Sequence, residues 1–294
     1  MKIALYGKAF GSDYDELMRD VLRLLKESNV SILVYEPFWK DIKHCFEESY
    51  DFEIFNNSDD IRNKVDVLFS FGGDGTILDS VPLIRDSGIP VLGINTGTLG
   101  FLASVSPQGT SEAVKNIISG NYDIEKRSLI QINDTENVFG GINYALNEIS
   151  ICRENNGSLI VVEVFIDDML LNTYWADGII LATPTGSTAY SMSVGGPIMT
   201  PNADSFLITP IAAHNLSVRP VVIPGTSNVK IKVGGRCDTF ALGLDSRIVL
   251  ADKSMDIEIK KTDFTFNMIR MPEENFFETI RKKLLWGNDL RNYF

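Results

Sequence analysis

The feature that most constrains the fold is a change of texture near residue 125. Before it, strand-like and helix-like segments alternate. KIALYG (2–7), SILVYE (31–36), VDVLFSF (65–71) and IPVLGIN (89–95) are short apolar runs of strand type. DYDELMRDVLRLLKES (13–28) places Leu17, Val21, Leu24 and Leu25 at helical spacing. DIKHCFEES (41–49) reads as a weak helix and TILDSVPLIRDSG (76–88) as a firmer one. TSEAVKNIISGN (110–121) reads as a helix closed by a C-terminal glycine. Repeated strand–helix–strand units predict a parallel sheet covered by helices.

After residue 125 helical periodicity is scarce. EKRSLIQIND, NYALNEISICR, SLIVVEVFID, DMLLNTYWADGIILATP, SNVKIKVGG and MDIEIKK are β-rich segments separated by turn residues. They predict a second, mostly antiparallel domain of β-sandwich type. The tail ENFFETIRKKLLWGNDLRNYF turns helical again, with Phe276, Phe277, Ile280, Leu284 and Leu285 assigned to one apolar stripe that packs back on the protein. The expected division is 1–125, joined by the C-terminal helix 273–294, and 126–272.

Charge narrows the partners. A net charge of −12 disfavours broad binding to nucleic acid or anionic membranes, but not a small polyanion held in a local pocket. Cys45, Cys152 and Cys237 are far apart and form no CxxC pair, so reduced, mostly buried thiols are expected. Two histidines exclude a His-rich metal site. MKIALYG reads as a strand rather than a signal peptide, and no apolar run approaches the ~20 residues needed to span a bilayer. A cytoplasmic protein is expected.

FSFGGDGTIL (69–78) carries the first chemical signal. Gly72, Gly73 and Gly75 stand where a parallel strand ends and a helix begins, the place where open α/β sheets bind ligands. Glycines let backbone amides approach an anion, and the following helix N-terminus favours negative charge. This is neither a Walker A loop nor GxGxxG. Asp74 is the odd member, because a carboxylate repels phosphate. It makes sense as an acceptor of a proton from an attacking hydroxyl, or as a holder of magnesium. Capping the helix that begins near Thr76 is an equal alternative. NTGTLGFL (95–102) supplies a second such loop, with Asn95, Thr96, Gly97, Thr98 and Gly100.

A third cluster lies in the β-rich half. TPTGSTAYS (183–191) packs five hydroxyl side chains, Thr183, Thr185, Ser187, Thr188 and Ser191, plus Tyr190, into nine residues. That density suits a nucleoside's ribose, base edge and phosphates; a hydroxyl-rich surface loop is the plain alternative. Asp177 precedes the apolar run GIILA. Asn147 and Glu148 sit inside YALNEISI, where strand alternation turns one of the pair inward. A buried Asn–Glu pair is costly unless hydrogen-bonded, and a ribose diol or an adenine amino group would satisfy it. A surface-facing Glu148 is the other reading.

Together GGDGT (72–76), NTGTLGFL (95–102), NE (147–148), DG (177–178), TPTGSTAYSMSVGGP (183–197) and HNLSVRP (214–220) resemble the NAD kinases. The match runs in order over about 65 to 220. The resemblance implies a Rossmann-like α/β domain, a β-sandwich-type domain and a returning helix. It implies transfer of the terminal phosphate of ATP, or in some members polyphosphate, to the 2′-hydroxyl of the adenosine ribose of NAD. NAD and ATP with Mg²⁺ are then the small-molecule substrates, and a homodimer or homotetramer is the implied assembly. Asp74 matches the general base and Gly75 a backbone contact to substrate. Asn147, Glu148 and Asp177 match substrate-binding positions. Thr188, Ala189, Tyr190, Ser191, Met192 and Ser193 match the nucleotide-holding loop, with Tyr190 flanking the base. Ala212 matches a backbone-contact position, and Asp245 falls near the site. Gly72, Gly73, Gly75, Thr76, Asn95, Gly97, Thr98 and Gly100 make up the phosphate loops.

One position departs from the pattern. Two residues before Asp177 many bacterial members carry a basic residue, and here it is Trp175. An indole there stacks on a ring or merely packs. The rival readings are a non-catalytic NAD or NADP sensor, which has no need of a base, and a GGDGT-type lipid kinase. The second is disfavoured by TPTGSTAYS and by the lack of an obvious membrane-docking segment.

Overall fold

The computed structural model describes residues 1–8, 10–47, 49–97, 100–154, 159–272 and 274–286. The chain divides into two units, 1–126 with 267–294, and 127–266.

The first unit is built on five parallel strands, β1 (Lys2–Gly7), β2 (Ser31–Tyr35), β3 (Phe52–Phe55), β4 (Val67–Gly72) and β5 (Val91–Asn95). Their spatial order is β3-β2-β1-β4-β5, so the strand order reverses between β1 and β4. Every residue of β4 and β5 is buried, as expected for parallel strands covered on both faces. Helix α1 (Asp15–Glu27) buries Met18, Val21, Leu22 and Leu25, spaced one helical turn apart. Its first turn is acidic and Lys26 stands in its last, which suits the helix dipole.

The expected helix at 41–49 lies earlier. Helix α2 is Glu36–Ile42, with Pro37 in its first turn, and a tight turn at Lys43–Cys45 ends it. Proline is pre-set for that first turn and contributes no N–H that would go unpaired. Phe38 and Ile42 are its buried residues. Phe46 is already extended and joins Trp39 and Phe52 in an aromatic cluster; Glu48 lies outside the described residues. Strand β3 and the short helix α3 (Ser58–Ile61), capped by Asn57 and Asp60, have no counterpart in the sequence reading. Helices α4 (Asp74–Ile84) and α5 (Thr110–Ser119) follow β4 and β5, and Gly120 closes α5 in the left-handed conformation.

The second unit is a sandwich of antiparallel strands. Its strands are β6 (Asp123–Ile132, entering from the first unit), β7 (Tyr144–Ala145), β8 (Glu148–Arg153), β9 (Ile160–Ile166), β10 (Met169–Ala176) and β11 (Gly178–Ala182). After the short helix α6 (Tyr190–Ser193) come β12 (Ser205–Ile211), β13 (Val221–Pro224), β14 (Val229–Gly235), β15 (Thr239–Leu244), β16 (Arg247–Asp252) and β17 (Ile257–Arg270). One sheet runs β13-β12-β11-β8-β15-β16, and the other carries β10-β9-β14-β17. Ile149, Ile151, Ile179 and Leu181 from the first face Ile160, Val162, Val164 and Ile231 from the second in one apolar core. Strand β17 returns the chain to the first unit, where Met268 pairs with Val91.

Helix α7 (Phe276–Leu284) belongs to the first unit. The expected apolar stripe is narrower than its five residues. Ile280 is its buried residue, whereas Phe277 and Leu285 are 57% and 66% exposed. Adjacent residues on a helix diverge by about 100°, so Phe276 and Phe277 cannot share one stripe. Leu285 lies past the helix end in the left-handed region. Residues 287–294 of the expected tail helix lie outside the described residues.

Candidate active site

In the first unit the register of β4 on β5 sets Gly72 opposite Asn95, so the two glycine-rich loops leave the sheet side by side. They leave at the carboxyl ends of the strands, and β4 borders the point where strand order reverses. Gly73 holds the N-cap position of α4, and no side chain caps that helix. Asp74 is thus the first helical residue and does not serve as the cap. Its carboxylate turns to the neighbouring loop instead. Oδ2 accepts from the Phe101 N–H at 2.8 Å, and Oδ1 from those of Leu102 and Ala103 at 2.9 and 3.0 Å.

A Cβ at position 100 would overlap this carboxylate, so only glycine admits the approach. A Cβ at Gly73 or Gly75 would meet nothing within 4 Å, which leaves room for a ligand against the backbone. Asn95 is buried and shapes the second loop: its Oδ1 accepts from the Gly97 N–H at 2.6 Å and its Nδ2 donates to the Ala103 carbonyl at 3.3 Å. Thr98 lies outside the described residues. Lys283 of α7 brings its Nζ to 3.6 Å from Asp74 Oδ2 and to 4.5 Å from the centre of the Phe101 ring. Sequence reading missed Lys283, which is 209 positions from Asp74 and carries no local signal.

In the second unit three segments meet at one end of β8. Glu148 opens β8 opposite Ala182, the last residue of β11, and TPTGSTAYS follows directly. Asp245, left-handed in the turn after β15, accepts from the N–H groups of Leu146, Asn147 and Glu148 at 2.8, 2.7 and 3.2 Å. Burial pushes its carboxyl up, against the pull of these amides and of the Arg247 charge. Arg247 in turn donates to the carbonyls of Ile142 and Tyr144. The NE dipeptide is thereby fixed by Asp245, whose role the sequence suggested only by proximity.

Glu148 faces inward. Desolvation, with the Asp245 charge adding, raises its carboxyl from 4.5 to about 8, although the Tyr190 backbone N–H pulls it down. Its Oε2 is buried without a hydrogen-bond partner, and the Asn147 side-chain amide makes no hydrogen bond among the described residues. A buried acceptor left unpaired costs about 1–3 kcal/mol, so the site is built for a donor that a ligand supplies.

The hydroxyl-rich loop divides its labour differently from the expectation. Thr183, Thr185, Ser187 and Ser191 are buried. Thr183 Oγ1 donates to the Leu146 carbonyl, Ser187 Oγ to the Pro184 carbonyl, and Ser191 Oγ pairs with Thr209 at 2.8 Å. Arg127 donates to Thr185. These hydroxyls hold the loop's shape. Thr188, Ala189 and Met192 remain half-buried, Ser193 is exposed, and Tyr190 is 41% exposed.

Trp175, Asp177 and Ala212 gather at the other end of β11. The Asp177 N–H donates to the Ile211 carbonyl and the His214 N–H to that of Trp175. Ala212 is left-handed, a conformation that costs a non-glycine residue about 1 kcal/mol or more and marks positions where backbone geometry is imposed. Arg153 grips Asp177 in a fork, Nε to Oδ1 at 3.0 Å and Nη2 to Oδ2 at 3.1 Å. The Asp177 charge is thus paired by a cation on β8, which the sequence did not reveal. The Trp175 indole is 57% exposed. Burial above all raises the Tyr190 phenol, and the carboxylates of Asp177 at one end and Glu148 at the other add to it.

One other cluster has ligand chemistry. Asp15, His44 and Cys45 bring their ligand atoms within 4.8 Å of one another. Asp15 Oδ2 is 2.7 Å from His44 Nε2 and 3.8 Å from the Arg19 guanidinium, and burial raises the Cys45 thiol to about 11. A guanidinium beside the carboxylate and a protonated thiol make this an anchor between α1 and the 43–45 turn.

Known proteins resemble this chain along nearly its whole length. Family models match as "ATP-NAD kinase N-terminal domain" over residues 8–122 and "ATP-NAD kinase C-terminal domain" over 146–271. The NAD kinase of Flavobacterium psychrophilum is 41% identical, covering 99% of this chain and 100% of that one. That of Bacteroides fragilis is 36% identical with the same coverage. Yeast NADH kinase, solved with NADH, superimposes with a TM-score of 0.86 at 26% identity, over 99% of this chain and 89% of that one. An Archaeoglobus fulgidus NAD kinase, solved with ATP, gives 0.74 at 25% identity, over 96% and 99%. The chain belongs to the ATP-NAD kinase family.

Proposed function

We propose that the chain is an NAD kinase that moves the terminal phosphate of ATP to the 2′-hydroxyl of the adenosine ribose of NAD, yielding NADP and ADP. The observation that carries the reading is the Asp74 carboxylate. It is 29% exposed and held by three amides in a loop whose flanking glycines leave open space. A secondary hydroxyl is a weak nucleophile near neutral pH, and a carboxylate within ~3 Å can take its proton. The hydroxyl oxygen attacks the γ-phosphorus, and Asp74 receives the proton as that bond forms. The bond to the β–γ bridging oxygen breaks, and its electron pair leaves with ADP. The loose transition state needs positioning and charge neutralisation more than base strength. Magnesium enters as part of the MgATP substrate.

Asn147 and Glu148 are assigned to the donor groups of NAD, with Tyr190 as a flat apolar wall for a ring. Trp175 offers a second ring surface, beside Asp177 and Arg153. We place the enzyme in the cytoplasm, with both substrates, and as a homodimer or homotetramer. Among the described residues no helix is long and apolar enough to cross a membrane. Ile248 and Leu250, 69% and 59% exposed on edge strand β16, suit a subunit contact.

The test is to incubate purified protein with NAD, ATP and Mg²⁺ and follow NADP with an NADP-specific dehydrogenase, with NADH in a parallel lane. Formation of NADP is expected. NAD binding without any ATP-dependent product would replace the kinase with a dinucleotide sensor. The NADH lane reads whether a chain with Trp175 accepts the reduced substrate.

A further inference from the structure

We propose that Lys283 of the C-terminal helix binds the phosphate chain of ATP, its ammonium moving from Asp74 onto the nucleotide. The proposal rests on the kinase reading above and names a residue that the reading lacks.

The glycine loop has no lysine of its own, and Asp74 adds a negative charge where a polyanion must approach. Coulomb repulsion of phosphate by an uncompensated carboxylate in a partly buried site is severe. Beyond the magnesium that arrives with ATP, any cation the protein itself supplies has to come from elsewhere in the fold. Among the described residues the cation within 4 Å of Asp74 is Lys283.

How Lys283 is held matters as much as where. At 3.6 Å its contact with Oδ2 is ionic and too long for a hydrogen bond. Its other contact is the face of Phe101, 4.5 Å from Nζ to the ring centre. Its three N–H donors therefore make no hydrogen bond among the described residues. Neighbouring Lys282 differs, being paired with Glu278 at 2.8 Å on the helix's own surface.

Asp74 does not depend on Lys283. The amides of Phe101, Leu102 and Ala103 continue to satisfy the carboxylate when the ammonium leaves. A lysine is a point charge on a flexible stem, suited to such a short transfer. Departure of Lys283 also uncovers Oδ2, the oxygen with one amide rather than two, for the ribose hydroxyl.

The experiment compares wild type with Lys283→Met and Lys283→Arg. Affinity for the non-hydrolysable imido analogue of ATP, with Mg²⁺, is measured by calorimetry. KM for ATP and for NAD are measured separately, and a thermal melt checks folding. Loss of a charge-assisted contact predicts analogue binding about 10- to 100-fold weaker in Lys283→Met, with KM for ATP rising in step. KM for NAD should stay within about twofold, and Lys283→Arg should recover most of the loss. Unchanged analogue affinity in Lys283→Met would overturn the assignment. So would equal losses for ATP and NAD, which mark a structural role. If Lys283→Met does not fold, Lys283→Gln carries the same comparison. A wild type that binds the analogue but makes no NADP refutes the kinase reading alone, and the affinity comparison still decides the role of Lys283.

Discussion

Two carboxylates in this chain are held in the same way, and the proposed mechanism gives them different work. Asp74 accepts from three consecutive amides, 101 to 103, and Asp245 from another three, 146 to 148. Each belongs to a segment distant from the amides it binds and fixes a loop that the backbone alone would leave loose. The difference is access. Asp245 is half-buried, but its carboxylate is strongly desolvated and has the charge of Arg247 nearby. Asp74 is partly exposed, matched by a lysine that is not locked in place, and bordered by glycines with open space beyond. Saturated hydrogen bonding thus does not separate a structural acid from a chemical one. Exposure and the mobility of the counter-charge do.

The comparison breaks most visibly at Asp245. Asp245→Asn removes the charge near the half-buried Arg247 and weakens the grip on three amides. A loss of about 1–3 kcal/mol is expected in urea unfolding, with a raised KM for NAD because Asn147 and Glu148 lose their support. A change below about 0.5 kcal/mol would show that the three amides are held by something else.

Glu148 sharpens the contrast through pH, because it is buried with the Tyr190 amide where Asp245 has three. Its folded carboxyl titrates at about 8, and its unfolded value is near 4.5. Below pH 4.5 both states carry the proton. As pH rises towards 8 the unfolded chain ionises while the folded one holds its proton, so this group's contribution to stability falls, then levels off. Glu148→Gln should flatten that slope between pH 5 and 8. Ionised Glu148 is the better acceptor for ribose hydroxyls, so the wild-type KM for NAD should drop as pH passes through about 8, and the variant's should not. Parallel KM profiles would remove Glu148 from the NAD site.

Much of this was legible in the residues, and the limits were physical. The alternation of strand and helix up to residue 125 and the β-rich run after it follow from local periodicity. GGDG and NTGTLG announce strand-end loops because glycine and a lone acid are local signals. Lys283, Arg153 and the grip of Asp245 are products of long-range pairing, which no spacing encodes. The division of labour among the TPTGSTAYS hydroxyls is not legible in the sequence for a different reason. A loop has no period to separate inward from outward, so Ser187 and Ser191, bonded internally, looked the same as Thr188. Helix α2 was displaced because Pro37 was not read as a first-turn residue.

The most direct test of the account is turnover and NAD affinity in Asp74→Asn beside wild type, with the product located by phosphorus NMR. The account predicts wild-type phosphate on the 2′-oxygen, unchanged NAD affinity in the variant, and turnover lower by about 10²- to 10⁴-fold. Wild-type turnover in Asp74→Asn would contradict it, and would leave Asp74 with only the structural role that Asp245 performs.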